Sequence, residues 1–246
     1  MPTSPNRIAL VTGGSRGIGA AISRRLAADG HDVVINYAGR RDDAEALAAE
    51  LNATGAQAVA LQADVADPQA VRQLFDAIEA RFGGIDVVVN SAGVLQLAPL
   101  ADSDDALFER VIGINLKGAF SVLRESARRV RDGGRLISLS TSVVGIRLEH
   151  YSVYAASKAA VETMGAILSK ELRGRNITVN AVAPGPTATD LFLEGKSPEL
   201  IERLAKMNPL ERLGTPEDIA GAVAFLAGAD GGWINGQVLR ANGGMV

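Results

Sequence analysis

The chain reads as an α/β protein, one doubly wound domain with a seven-stranded, mostly parallel sheet and helices on both faces. Three observations predict this. Short continuous apolar runs alternate with longer helix-period stretches along all 246 residues, the order of a parallel sheet with crossover helices. Hydrophobic residues make up 47% of the chain and aromatic ones only 4%, so the core is aliphatic, as strands buried on both faces require. No stretch resembles a linker, a repeat or a low-complexity tract, and the length suits a single large domain spanning residues 1–246.

The elements follow in order. Apolar runs at 8–11, 33–35, 58–61, 87–89, 136–139 and 177–182 predict buried strands, and 238–241 supplies a closing one. Helical patterns fall between them at 17–29, 42–54, 68–82, 105–131 and 152–173, with a last helix at 216–228. Asp67-Pro68 and Thr215-Pro216-Glu217-Asp218 mark helix starts, because proline fits the first helical position, where no N–H is needed. Residues 185–214 are long for a connection and carry one short helix near 197–206. Following a strand's carboxyl end, this segment reads as a substrate lid. With right-handed crossovers, ligands bind beyond the carboxyl ends of the strands, and every candidate below follows a strand or lies on the helix after it.

Composition excludes several classes. A formal charge of −3 leaves no basic footprint for nucleic acid or anionic lipid. No apolar run approaches the roughly 18 residues of a membrane span. The segment Met1-Pro2-Thr3-Ser4-Pro5-Asn6-Arg7 is polar, and the apolar run behind it is too short for a signal peptide, so a cytoplasmic protein is expected. Without cysteine there is no thiol nucleophile or thiolate metal site, and His31 and His150 alone make no metal cluster.

Two stretches carry chemistry. Tyr154-Ala155-Ala156-Ser157-Lys158 sets a phenol and an ammonium four residues apart on one face of a predicted helix. A fixed positive charge favours phenolate, so the pair suits proton transfer. The first strand runs into Thr12-Gly13-Gly14-Ser15-Arg16-Gly17-Ile18-Gly19, where glycines permit a tight turn and the following helix offers its positive end to a pyrophosphate. After the second strand comes Asn36-Tyr37-Ala38-Gly39-Arg40-Arg41, with no carboxylate before Asp42. An acidic residue there would select NAD. Arg16 with Arg40 or Arg41 instead suits the 2′-phosphate of NADP(H). Asp64-Val65 can meet an adenine amino group, or Asp64 can cap a helix. Asn90-Ser91-Ala92-Gly93 leaves room for a ribose. Ser140-Thr141-Ser142 ends the fifth strand in hydroxyls.

Thr-Gly-x3-Gly-x-Gly at 12–19, Asn90-x-Ala92-Gly93, Asn115, Ser142, Tyr154-x3-Lys158 and Pro184-Gly185 stand in the order and spacing of the short-chain dehydrogenase/reductase family. The chain resembles that family over its whole length, to Asn242-Gly243-Gly244. The resemblance implies a Rossmann-type fold and an NADP(H)-dependent oxidoreductase acting on a CH–OH or C=O group. It also implies roles. Tyr154 is the proton donor or acceptor, Ser142 holds the substrate oxygen, and Lys158 binds the nicotinamide ribose and lowers the phenol's pKa. Asn115 seats a water leading from Lys158 to solvent, and Thr187 or Thr189 meets the carboxamide. Ser142 is preferred to Ser140 and Thr141 because it directly precedes Val143-Val144-Gly145, although its interval to Tyr154 is one residue shorter than is commonest in the family.

Among family members the chain looks most like 3-oxoacyl-acyl-carrier-protein reductases. Arg131 and Arg175 sit where those enzymes receive the acidic carrier protein, or are helix-end arginines. Residues 94–100 lack the charged, Met-containing segment usual there, and a pocket bordered by Leu95, Arg147, Glu149, His150 and Phe192 suits a small ketone, a sugar or a ring carbonyl. The alternative is therefore an NAD(P)-dependent dehydrogenase of a small sugar, diketone or steroid alcohol. A non-catalytic dinucleotide sensor should lack Tyr154 and Lys158, and a nucleotide-sugar epimerase needs a longer chain. Relatives are commonly tetramers, pairing the helices at 105–131 and 152–173.

Overall fold

Seven strands, β1 (Ile8–Thr12), β2 (Asp32–Tyr37), β3 (Ala58–Gln62), β4 (Ile85–Asn90), β5 (Val130–Leu139), β6 (Thr178–Pro184) and β7 (Val238–Ala241), form one parallel sheet in the order 3-2-1-4-5-6-7. The computed structural model describes residues 6–246; residues 1–5, which belong to the polar first segment, lie outside the described residues. The order reverses between β1 and β4, and the crevice beyond their carboxyl ends is where such a sheet binds ligands. Register aligns Thr12 with Asn90 and Asn90 with Ser138, so these three strand ends are level.

Alternation along each strand divides the core in two. Ala9, Val11, Val33, Ile35, Val87 and Val89 face one helix layer, formed by α1 (Gly17–Ala28), α2 (Arg41–Ala53) and α10 (Pro216–Ala227). Ile8, Leu10, Val34 and Val88 face the other, which includes α3 (Pro68–Phe82), α5 (Ala119–Arg129) and α7 (Ser152–Glu171). Each fully buried Ile, Leu or Phe contributes about 1.5–3 kcal/mol, which fixes strand direction and register. Asp67 caps α3 by accepting from Gln69 N–H at 2.8 Å, and Thr215 and Asp218 form a reciprocal capping box at α10.

The helix expected at 105–131 is broken. It consists of α4 (Asp105–Val111), a π-helical segment (Ile112–Gly118) and α5, and Val130 already belongs to β5. β5 starts early because Val130 pairs with Ile85 before a register shift, with Gly133 at φ 80° absorbing the irregularity. Two single-turn helices, α6 (Val143–Ile146) and α8 (Asp190–Leu193), were not expected. The excursion after β6 also carries α9 (Pro198–Ala205). A bridge between Thr187 and Gly214 closes its neck. No helix among the described residues is long and apolar enough to cross a membrane.

Candidate active site

The glycine turn is shaped by contacts that only glycine permits. A Cβ on Gly19 would lie 2.2 Å from the Gly13 carbonyl, and one on Gly13, at φ 61°, would lie 2.9 Å from Ala92 Cα. The Thr12 hydroxyl accepts from Ser91 and Ala92 N–H, both at 3.1 Å, and donates to Asn90 Oδ1 at 3.3 Å. The turn after β1 is thereby clamped to the end of β4. No side chain caps the start of α1, so its first N–H groups and positive end are open to an anion in the crevice. The cradle fits a dinucleotide pyrophosphate.

A cleft of about 450 Å³ runs from this turn across the sheet ends. Gly13, Ser15, Arg16, Gly17, Ile18 and Gly19 line one end, with Asn36, Tyr37, Ala38, Arg40, Asp64 and Val65 beside them. Ala92, Gly93, Tyr154, Lys158, Pro184, Gly185, Thr187 and Thr189 line the rest. Asn90 and Asn115 are not on the wall; both are buried behind it. The Asn36 amide is engaged structurally, donating to the carbonyls of Leu61 and Ala63. The two arginines after β2 separate: Arg40 lines the cleft and pairs with Asp43 at 3.4 Å, while Arg41 lies off the cleft wall and pairs with Glu45 at 2.7 Å. Arg16 is exposed and has no ion pair among the described residues. Asp64 accepts from Ala66 N–H, a local turn bond, and also faces the cleft.

At the far end α7 presents Tyr154 and Lys158 together. Burial pushes the Tyr154 phenol up to about 12, against which the Thr141 hydroxyl, hydrogen-bonded to it, pulls down. Burial also lowers the Lys158 ammonium to about 8, and its Nζ donates to the Leu139 carbonyl at 2.8 Å. The expected lowering of the phenol by Lys158 is not found; burial dominates, and the opposing pull comes from Thr141. Although Tyr154 keeps some surface in the cleft, dense protein surrounds the ring on its other sides. Asn115 Nδ2 donates to the Val94 carbonyl and Oδ1 accepts from Val94 N–H, each at 2.9 Å. A Cβ on Gly93 would stand 3.3 Å from both Asn115 Oδ1 and Lys158 Nζ, so glycine keeps the path between them open. The π-helical segment carrying Asn115 is a common device at functional sites.

The three hydroxyls after β5 diverge. Ser140 donates to Glu162. Ser142 donates to the Ala183 carbonyl at 3.1 Å and accepts from Asn242 Nδ2 at 2.9 Å. Thr141 is the one beside Tyr154. The short interval from Ser142 to Tyr154 was the signal in the sequence, since one residue upstream restores the usual spacing.

Several wall residues escape sequence reasoning. Tyr151 stands edge-on to Tyr154, ring centroids 6.2 Å apart, and with Ile146, Leu148, Leu191, Leu204 and Met245 makes this end apolar. Leu95 and Phe192 line the cleft as expected, but Arg147, Glu149 and His150 border a separate depression beside Leu100. Arg131 pairs with Asp86 at 3.2 Å. Arg175 pairs with Asp132 at 2.8 Å and donates to the Ala127 and Val130 carbonyls. Both arginines are tied to their own fold.

Fold and site together define a Rossmann-type dinucleotide-binding oxidoreductase. A family model described as enoyl-(acyl carrier protein) reductase matches residues 13–246. A short-chain type dehydrogenase/reductase of Picea abies is 48% identical over 98% of this chain and 92% of its own length. An NADPH-dependent aldehyde reductase-like protein, chloroplastic, of Arabidopsis thaliana is 44% identical over 98% and 94%. The crystal structure of a short chain dehydrogenase from Burkholderia cenocepacia J2315 in complex with NADP superposes with a TM-score of 0.92 at 39% identity, covering 97% of each chain. The chain belongs to the short-chain dehydrogenase/reductase family.

Proposed function

We propose that the protein is an NADP(H)-dependent carbonyl reductase acting on apolar aldehydes or ketones. The observation that carries this reading is a single cleft with an unpaired Arg16 beside a pyrophosphate cradle at one end and the Tyr154–Lys158 pair at the other. The similarity to an NADPH-dependent aldehyde reductase-like protein and to an NADP-bound dehydrogenase supports it.

NADPH supplies the hydride when bound. Arg16, with Arg40, holds the 2′-phosphate, and the α1 N-terminus holds the pyrophosphate. Lys158 binds the nicotinamide ribose, and Thr187 or Thr189 meets the carboxamide end. Tyr154 gives its phenolic proton to the substrate oxygen as charge develops there, and takes one back in oxidation. Its high pKa keeps it protonated for reduction at neutral pH. The Asn115 segment links Lys158 to solvent and reprotonates the site. The excursion over 185–214 acts as a lid, bringing Leu191, Phe192 and Leu204 over an apolar substrate.

The 3-oxoacyl-carrier reading is less favoured because Arg131 and Arg175 are engaged internally. A cytoplasmic homotetramer remains our reading, with the exposed Phe108, Phe120 and Ile167 as the apolar contacts between copies. The test is an NADPH-oxidation screen over aldehydes, diketones, quinones, steroid ketones, sugars and 3-oxoacyl thioesters, with NADH in parallel. Turnover of apolar carbonyls with NADPH is expected; turnover confined to sugars or thioesters, or none at all, refutes the reading.

A further inference from the structure

We propose that Thr141, not Ser142, presents the hydroxyl that binds the substrate oxygen, and that Asn242 holds Ser142 turned away from it. The proposal rests on the carbonyl-reductase reading above. A serine hydroxyl has one proton to donate and two lone pairs, so where that proton goes decides its use.

Asn242 settles the matter for Ser142. It is buried, and its Oδ1 accepts from the N–H groups of Gly244 and Met245 at 3.0 and 3.1 Å. The amide therefore cannot be flipped without facing two donors with its own NH₂ group. Its Nδ2 donates to the Val246 carbonyl at 3.2 Å and to Ser142 Oγ at 2.9 Å. Ser142 is thus an acceptor there, and its single proton goes to the Ala183 carbonyl at 3.1 Å. Its backbone is fixed as well, the N–H donating to the Pro184 carbonyl at 2.9 Å. To reach a substrate, the hydroxyl would have to abandon a buried carbonyl. A Cβ on Gly185 would strike Asn242 Cα at 2.9 Å, so the residue has little room to withdraw.

Thr141 is in the opposite condition. Its Oγ1 accepts from Val143 N–H at 3.3 Å, which orients the oxygen and leaves the proton free. Thr141 interacts with the Tyr154 phenol and lowers its pKa, as a donor to the phenol oxygen does, and both residues line the cleft, as Ser140 and Ser142 do. A carbonyl oxygen placed to receive the phenol's proton stands within reach of Thr141 as well, and a donor aimed there strengthens as negative charge develops. Asn242 is a positioning residue, acting through Ser142.

The test compares Thr141→Val, Thr141→Ser and Ser142→Ala with wild type for kcat, KM of the carbonyl, NADPH Kd and Tm. Removing one oxyanion donor lowers kcat by about 10²–10³. Thr141→Val is expected to lose that much with NADPH Kd unchanged. Thr141→Ser should recover to within about tenfold of wild type, and Ser142→Ala should stay within a few-fold. A Thr141→Val enzyme of near-normal kcat overturns the assignment, as does one that loses NADPH binding together with turnover. If Thr141→Val and Ser142→Ala both fail, rescue by Thr141→Ser supports it and absence of rescue overturns it. Wild-type turnover with NADPH tests the underlying reading separately.

Discussion

Asn115 and Val94 exchange two hydrogen bonds, amide to carbonyl and N–H to amide oxygen, each at 2.9 Å. This pair ties the π-helical segment to the loop leaving β4, and Nδ2 also reaches Ser157 Oγ at 3.3 Å, one position before Lys158. Truncation to Asn115→Ala leaves both Val94 backbone groups without their partner. At about 1–3 kcal/mol for each unmade bond, lessened by the partial exposure of Val94 to water, a loss of roughly 2–4 kcal/mol is expected in urea denaturation, together with a fall in kcat. Unchanged stability would mean that the helix break stands without the side chain.

Tyr154→Phe removes the phenolic proton beside Lys158 while keeping the ring against Tyr151. Turnover should fall by at least about 10², the contribution of a positioned acid. NADPH affinity, read by fluorescence titration, should stay within a few-fold. Near-normal kcat would remove Tyr154 from the mechanism.

Arg16→Ala should raise KM for NADPH about tenfold or more and leave KM for NADH nearly unchanged, since a charge-assisted bond to the 2′-phosphate is lost. Arg40→Ala should act in the same direction. Arg41→Ala should do neither, because that residue does not line the cleft and its guanidinium is held by Glu45. Equal effects of Arg16→Ala on both cofactors would show that Arg16 does not read the phosphate.

Lys158 makes stability depend on pH in a defined direction. Its folded pKa is lowered from 10.5 to about 8, so between those values the unfolded chain holds the proton that the folded chain has released. Stability therefore rises with pH across that window. Tyr154, raised from 10.0 to about 12, opposes this only above about pH 10. Lys158→Met removes the first effect. Its stability relative to wild type should fall between about pH 8 and pH 10.5 in urea denaturation of the cofactor-free protein. A constant difference would place the lysine in a solvated setting.

Much of the fold was legible because its determinants are local. Asp67 and Thr215 announce their helices by capping chemistry, and the glycine spacing of 13–19 announces the cradle. The unbroken helix expected at 105–131 was not found, and the residue its π-helical segment bonds to, Val94, is distant in sequence. The second substrate wall was missed because its residues are distant in sequence: Met245 and Leu204 meet Tyr151 on one cleft only in the folded chain.

What the sequence determined by itself was the order of strands and helices, the glycine cradle and the helical spacing of Tyr154 and Lys158, all consequences of periodicity and local backbone chemistry. Tertiary structure alone decided which arginine faces the cleft and in which direction the pKa values of Tyr154 and Lys158 move. It also decided which hydroxyl stands beside the phenol. Ser140, Thr141 and Ser142 are chemically near-equivalent in the chain. They become distinct only because Glu162 and Tyr154 approach them from α7 and Asn242 from the turn after β7, and hydrogen bonds and desolvation act through space.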